Sequence, residues 1–292
     1  MSLGRLRAGG WGLILALAVL AGVVVLLASP RHRALYLGWT TSTGARANPG
    51  AGGRPAAVAA APSLVPAGRL PAVPDTESRI HVRVADTVPS RLPAEGVPPG
   101  WTTKEFVGRA SVELVRDENR LALRLRSEQS SFALYRDVIV DLREFPFLSW
   151  SWKVVQLPDG GDIRERARDD QAAQLYVIFP RWPSPLRSSD VLGYVWDTRA
   201  PVGTRLTSTQ ASNVKVIVVA SGSAQRGVWR VEQRAVVQDY VALFGRQPPR
   251  VGRVAVMIDT NDTRGAAEAL VGDIAFARER SESMEIPTSM LR

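Results

Sequence analysis

From about residue 79 onward, the chain alternates apolar and polar residues with the period of a β-strand, and this pattern constrains its fold most. In residues 120–126 three leucines alternate with three arginines, as a strand with one buried and one solvated face requires. Gly, Pro, Asn and Asp separate the runs. The clearest runs are 80–84, 111–116, 120–126, 132–140, 147–155, 172–179, 191–196, 214–220, 228–237, 251–259 and 271–277.

These runs predict an all-β fold, an antiparallel two-sheet β-sandwich of jelly-roll type, over residues 76–280. One short helix is predicted at 240–244, with Asp239 as its N-cap and Gly245 at its C-terminal end. In run 228–237 we expect the apolar row that includes Val231 to face the core and the charged row that includes Glu232 to face solvent. Residues 281–292 are predicted to be a C-terminal tail.

The N-terminal part has a different composition. Residues 11–28 are eighteen residues without a charge, enough to span a bilayer. We prefer an uncleaved membrane anchor (residues 1–28) to a cleaved signal peptide, because charged residues follow directly instead of a small-residue cleavage site. Arginines flank both sides, so their distribution leaves the orientation open. Residues 29–75, with 7 Pro, 11 Ala and 6 Gly, are predicted to be a flexible, extended linker.

Composition excludes several classes of site. The chain has no Cys and two His, so disulfides, thiolate sites and His-rich metal centres cannot form. The net charge of +9 is mostly N-terminal: residues 1–75 hold seven Arg and one acid, and the rest carries +3. Basic residues there are scattered among acids, which argues against a nucleic-acid partner. Without a Gly-rich loop before a helix we expect no nucleotide cofactor.

Five separated blocks resemble one bacterial family. They are 146–154 (PFLSWSWKV), 169–179 (DDQAAQLYVIF), 194–196 (YVW), 239–245 (DY with FG), and 257–263 (MIDTNDT) followed by 272–273 (GD). The order of these blocks is similar to that in the family known as domain of unknown function 3047, over roughly residues 80–278. The resemblance implies no activity and no catalytic residue set. It implies an exported or envelope protein, and therefore a periplasmic domain.

Aromatic pairs are the first candidate for ligand binding. Trp150 and Trp152, and likewise Tyr194 and Trp196, stand two residues apart, so each pair presents its rings on one face of a strand, as sugar-stacking platforms do. The apolar row around Trp150 and Trp152 also fits a sandwich core. For Tyr194 and Trp196, the pattern fits a ligand-binding face and a sandwich core about equally well.

The acidic stretch from Asp159 to Tyr176 is the second candidate. Gln174 and Tyr176 alternate with the predicted core row and are placed to meet a ligand. A carboxylate pair could perform acid–base chemistry, although interleaved arginines also fit a salt-bridged loop. The acids considered for catalysis are Asp162, Asp169, Asp170 and Glu232.

A third cluster offers oxygen ligands for a structural calcium ion: Asp259, Asn261, Asp262 and Asp273. It is not an EF-hand, because Arg264 occupies the position of the required glycine. The competing explanation is that these side chains cap backbone groups in a turn.

Together, these features predict a non-catalytic module, tethered to the bacterial inner membrane through residues 11–28, whose periplasmic domain binds a glycan or another polar envelope ligand. Two alternatives stay open. One is a polysaccharide hydrolase or lyase that uses a carboxylate pair, and the other is a purely structural envelope protein.

Overall fold

Two β-sheets stack face to face. The structure is a computed structural model that describes residues 74–76, 78–181 and 189–280. Its strands and helices are β1 Arg79–Val82, β2 Ala94–Glu95, β3 Thr102–Val107, β4 Ser111–Asp117, β5 Arg120–Glu128, β6 Ser131–Val140, β7 Phe147–Gln156, a 3₁₀ helix Arg166–Arg168, β8 Ala173–Phe179, β9 Asp190–Asp197, β10 Arg205–Thr207, β11 Val214–Ser221, β12 Arg230–Ala235, α1 Val236–Phe244, β13 Val251–Asp259 and β14 Ala266–Ala277.

The strands divide between two sheets of seven within the described residues. Sheet I has the order β12-β7-β14-β5-β4-β2, and β1 pairs with the second half of β14. Sheet II has the order β10-β11-β9-β8-β13-β6-β3. All pairs are antiparallel except β9 with β11, which run parallel. The predicted two-sheet architecture is therefore confirmed, whereas the prediction of purely antiparallel sheets is wrong at this pair.

The core lies between the sheets. Leu123 and Leu125 of β5 are each 1% exposed, as their alternation predicts, and Arg124 of the same strand faces outward. Full burial of one such side chain stabilises the fold by about 1.5–3 kcal/mol. Trp150 of sheet I stacks on Tyr194 of sheet II with ring centroids 5.1 Å apart. This contact joins the two layers directly.

Strand β12 corrects the prediction for run 228–237. Residues paired across strands share a face, and Glu232 pairs with the buried Trp150, so the charged row of β12 faces the interior and Val231 is exposed. The reversal is stable because β12 is an edge strand. The guanidinium of Arg230 lies over the ring of Trp196, and that of Arg234 lies over Tyr194.

Helix α1 begins four residues earlier than predicted. Ala235 is the N-cap, and Asp239 lies in the first turn instead of capping the helix. The predicted C-terminal end is confirmed, because Gly245 adopts the left-handed conformation and its N–H bonds to the carbonyl of Val241.

No helix in the described part of the chain is long and apolar enough to cross a membrane. The predicted anchor, nearly all of the linker and the C-terminal tail lie outside the described residues.

Candidate functional site

The four aromatic residues proposed as a sugar platform lie in the core. Trp150, Trp152, Tyr194 and Trp196 are at most 1% exposed. Trp152 packs edge-on against Trp150 at 5.4 Å and in a tilted arrangement against Trp196 at 6.2 Å. Their spacing correctly places each pair on one face, but that face is the inner one. The prediction that they stack on a ligand at the surface is wrong.

A polar network closes the edge of the sandwich beside these rings. Arg234 donates two hydrogen bonds to Asp239, at 2.8 and 2.6 Å, and the hydroxyl of Tyr194 donates to the same carboxylate at 3.0 Å. Burial, followed by the charge of Asp239, raises the pKa of Tyr194 well above its usual value. Glu232 accepts a hydrogen bond from Arg230 at 2.9 Å in the same row. Glu232 is therefore bound into this edge, whereas the other candidate acids lie in the loop between β7 and β8.

Polar side chains gather instead on the outer face of sheet II. Tyr176 of β8, Ala255 of β13 and Tyr135 of β6 are register partners, so both tyrosines stand on one face with a small residue between them. Gln174 and Met257 form the next row on the same face. We call Tyr135, Asp169, Gln174, Tyr176 and Asp259 the tyrosine–carboxylate site.

Gly193 lets Tyr176 lie flat on this face. A Cβ atom at Gly193 would stand 2.6 Å from Cε1 of the Tyr176 ring, closer than any real contact, so a side chain here would displace the ring. The hydroxyl of Tyr176 donates to Oε1 of Gln174. Nε2 of Gln174 has no hydrogen-bond partner among the described residues, although the side chain is 2% exposed. Rotating the amide by half a turn would only exchange which of its atoms is unpartnered.

Asp169 enters the site from the loop before β8. Its carboxylate accepts hydrogen bonds from Oγ1 of Thr209 at 2.9 Å and from Nε2 of Gln171 at 3.2 Å. Burial raises the pKa of Asp169, and the charges of Asp170 and Asp262 add to the effect, while the two hydrogen bonds oppose it. Thr209 follows β10, so two loops hold this carboxylate at one side of the sheet.

Asp259 ends β13 at the same edge of the site. Burial is the main cause that raises the pKa of Asp259 to about 8, and the charge of Asp170 is the next. Hydrogen bonds from the Asn261 N–H and from Ser131 act in the opposite direction. The carboxyl therefore keeps its proton at neutral pH.

Asp170 has a structural role in this region. It is fully buried and accepts hydrogen bonds from the N–H groups of Asp262 and Thr263, at 3.1 and 2.6 Å, and from the Thr263 hydroxyl at 2.5 Å. These bonds fix the turn after β13 against the loop before β8. Asp170 is therefore occupied by structural hydrogen bonds.

Asp162 is also occupied. Arg164 donates to it from its side chain at 2.8 and 2.6 Å, and these bonds are the main cause that lowers the pKa of Asp162. Asp162 therefore belongs to a salt-bridged loop, which was the competing interpretation. Of the four acids considered for catalysis, Asp169 alone lies in the tyrosine–carboxylate site.

The four proposed calcium ligands do not converge. Asp273 is seven residues after the first residue of β14. Along a strand this spacing places it roughly 20 Å from the turn that holds the other three residues. It lines a separate pocket of about 580 Å³ beside His81. Nδ2 of Asn261 donates to Asp262 at 2.8 Å, as in turn capping. No group of three or more His, Cys, Asp or Glu in the described residues is arranged to hold a metal ion.

The structure adds residues that the sequence reasoning missed. The sequence pattern does not single out Tyr135 or Thr209, and it assigns Asp259 to a metal site instead of to this face. The alternation in β6 could have placed Tyr135 on an outer row. Nothing in the sequence places Thr209 beside Asp169, since 40 residues separate them.

Among the described residues, the outer face of sheet I has no comparable cluster. Its charged side chains form ion pairs with each other: Arg124 with Glu113 at 3.1 Å, Arg126 with Glu113 at 2.9 Å, and Lys153 with Asp117 at 2.7 Å. The ring N–H of Trp229 donates a hydrogen bond to Asp117 at 2.8 Å, so the Trp229 ring also lies on this face. A ligand here would have to displace formed ion pairs.

Comparisons with other proteins place these residues in context. The family described as "Protein of unknown function (DUF3047)" matches residues 99–275. No curated protein matches the sequence.

Solved structures with a similar arrangement include carbohydrate-active proteins. The family 11 carbohydrate-binding module of the cellulase Lic26A-Cel5E of Clostridium thermocellum is 9% identical, over 71% of this chain and 100% of that one, with a TM-score of 0.38. Endoglucanase cel12A from Rhodothermus marinus is 10% identical, over 63% and 100%, with a TM-score of 0.36. The family 11 xylanase from Neocallimastix patriciarum is 10% identical, over 68% and 95%, with a TM-score of 0.30.

Proposed function

We propose, for a chain that belongs to the protein family of unknown function DUF3047, that the folded domain is a binding module and that a glycan occupies the tyrosine–carboxylate site. The observation that carries this proposal is the amide of Gln174. It is buried on the outer face of sheet II, beside the Tyr176 hydroxyl, and one of its polar atoms has no partner among the described residues. A buried polar group without a partner costs about 1–3 kcal/mol, and a ligand hydroxyl would remove that cost once the side chains around the amide move to admit it.

The surroundings of Gln174 fit a sugar. Tyr135 and Tyr176 are half-buried and offer apolar ring surface, on which sugar rings stack. Asp169 and Asp259 are half-buried and supply oxygen atoms that can accept hydrogen bonds from hydroxyl groups. Sites for small ligands combine these two elements, an apolar surface and a few fixed polar groups.

Hydrolysis of a polysaccharide is the second candidate, and one observation favours it. The raised pKa of Asp259, about 8, keeps its carboxyl protonated at neutral pH, as a general acid requires. A glycosidase also needs a second carboxyl about 5 to 9.5 Å away across the bond, and Asp169 is the acid in this site that could serve. Release of reducing ends from a bound polysaccharide, abolished in Asp259→Asn, would establish this activity.

We further propose that residues 11–28 anchor the chain in the bacterial inner membrane and that the domain, a jelly-roll-like sandwich, is periplasmic. The uncharged stretch of eighteen residues and the Pro-, Ala- and Gly-rich segment after it support this arrangement. Such a segment would act as a spacer between a membrane and a binding domain.

The binding proposal is tested with the full chain in detergent and two matched glutamine variants. Gln174→Leu removes the buried amide but keeps its volume, and Gln238→Leu makes the same change at an exposed position of α1. We expect at least one glycan of a soluble panel to raise the melting temperature of the wild type and of Gln238→Leu, and Gln174→Leu to lose this shift while it still unfolds cooperatively. Equal shifts in both variants, or no shift with any glycan, would contradict the proposal.

A further inference from the structure

The two tyrosines of the site are too far apart for one sugar ring to cover both. Tyr135 and Tyr176 are the register partners of Ala255 on the two strands that flank β13, so two strand spacings, about 10 Å, separate their positions on the sheet. Stacked rings have centroids about 4.5–7 Å apart. A sugar ring over one tyrosine is therefore out of stacking range of the other.

The ring of Tyr176 also leans away from Tyr135. Its Cε1 atom lies 2.6 Å from where a Cβ atom of Gly193 would stand, and Gly193 is its register partner on β9, the neighbour of β8 on the side away from β13. The two rings therefore offer separate stacking positions, which a chain of sugars can occupy and a single sugar cannot.

The position between the two rings carries no charge. It holds Ala255, which is 1% exposed because its larger neighbours close over it. The next outward residue of β13 on one side is Arg253, which pairs with Asp137 at 2.6 Å and lies over the ring of Tyr135 at 5.6 Å. We call Tyr176, Ala255 and Tyr135 the tyrosine row. It crosses the strands, and the ion pair borders it along one side.

The tyrosine row is closed at the end where Tyr176 lies. Beyond Gly193 the next register partner is Val216 of β11, which is 1% exposed on the outer face. Val216 belongs to an apolar cluster with Ile163, from the loop between β7 and β8, and Tyr176 packs against this cluster. Because the loop covers the sheet here, it forms a wall beside the Tyr176 ring.

The opposite end of the tyrosine row is open. Tyr135 pairs with Thr102, which is exposed on β3. No strand of the described residues pairs with the far side of β3, so the sheet ends there. A chain that lies on the row can leave the domain over β3 but not over β9 and β11.

The amide of Gln174 lies at the closed end. Gln174 precedes Tyr176 by two residues on β8, shares its face, and holds the buried polar atom without a partner among the described residues. The end unit of a glycan has a free hydroxyl at the position that inner units use for the glycosidic bond. This hydroxyl can bind the amide once the surrounding side chains move to admit it.

We infer that the ligand is a linear, neutral glycan of at least three sugars that lies across the strands, with its end unit on Tyr176 and the following units over Ala255 and Tyr135. This inference rests on the proposed function. The wall at Ile163 stops the chain at one end, and the other end extends past β3. The domain therefore recognises the ends of glycan chains and not their interiors.

The test uses the full chain in detergent and linear oligomers of glucose, mannose, xylose and N-acetylglucosamine, each from one unit to six. Isothermal titration should show, for at least one sugar, an affinity that rises about threefold to tenfold as the chain reaches the second tyrosine at three or four units, since a second stacked ring adds about this much. The affinity should be constant at greater lengths. A long polymer of that sugar should bind one protein per chain, whatever its length.

Two matched variants test the direction of the chain. Tyr135→Leu removes one ring of the row, and it should bind the long oligomers no tighter than the two-unit oligomer while it still unfolds cooperatively. Phe106→Leu removes a 45% exposed ring on β3 that lies off the row, roughly 13 Å along the strand from Thr102. It should keep the length dependence of the wild type. The reverse result would show that the chain follows β3, and would overturn the inference.

The outcomes separate the two proposals. If one unit binds as tightly as six, if several proteins bind to one polymer chain, or if only charged or branched glycans bind, the inference is wrong and glycan binding stands. If no oligomer and no other glycan binds, the proposed function itself fails.

Discussion

Asp259 shows how burial and one neighbouring charge change the chemistry of a single residue. Its carboxyl would have a pKa of 3.8 in an exposed position, and burial together with Asp170 raises it to about 8. The folded protein therefore holds this proton over a range of pH in which the unfolded chain has lost it. Burial raises the pKa values of Asp169 and Asp262 in the same direction.

This shift predicts how stability depends on pH. A raised pKa in the folded state gives a contribution that is fully present below pH 3.8 and is lost as pH rises towards 8. We expect the melting temperature of the wild type to fall between pH 5 and pH 8.5, and Asp259→Asn to fall clearly less, because its amide does not ionise. Thermal unfolding at both pH values, with Asp273→Asn as control, checks this. A difference between Asp259→Asn and the wild type that is the same at both pH values would contradict the assigned pKa.

Among the elements, β12 shows what a strand pattern can and cannot establish. Alternation correctly predicts that Arg230, Glu232 and Arg234 share one face, but it cannot tell which face points inward. At an edge strand, long arginine side chains can lie over buried rings while their charged ends reach Glu232 or Asp239. The same limit explains the aromatic pairs: the spacing of Trp150 and Trp152 predicts a shared face, and burial decides its use.

The network at this edge gives a prediction about the junction of β12 and α1. Asp239→Ala removes the acceptor of both Arg234 and the buried Tyr194 hydroxyl, and we expect the free energy of unfolding to fall by about 1–3 kcal/mol. Gln238→Ala changes the exposed neighbour on the same helix and should cost no more than about 0.5 kcal/mol. Chemical denaturation measures both values. Equal values for the two variants would show that the network does not stabilise this edge.

At the scale of the whole molecule, the two outer faces differ in how their charges are neutralised. On sheet I, acids and bases pair across neighbouring strands, as between Arg126 and Glu268 at 3.3 Å. On the outer face of sheet II, Arg253 pairs with Asp137 at 2.6 Å and lies over the ring of Tyr135, whereas Asp169 and Asp259 form no ion pair with any described Lys or Arg. The alternation in β8 predicted the outward position of Gln174 and Tyr176. The loop that carries Asp169 and the end of β13 meet only through tertiary packing, which no local pattern reveals.

We propose that a ligand binds the outer face of sheet II. Hydroxyl-radical footprinting of the full chain, with and without a bound glycan, measures this binding, because Tyr135, Tyr176 and Met257 are half-buried on that face and react when solvent reaches them. Trp229 is a half-buried reporter on the outer face of sheet I. We predict that the glycan protects the two tyrosines and Met257 and leaves Trp229 unchanged. Protection of Trp229, with unchanged labelling of Tyr135, Tyr176 and Met257, would contradict the claim.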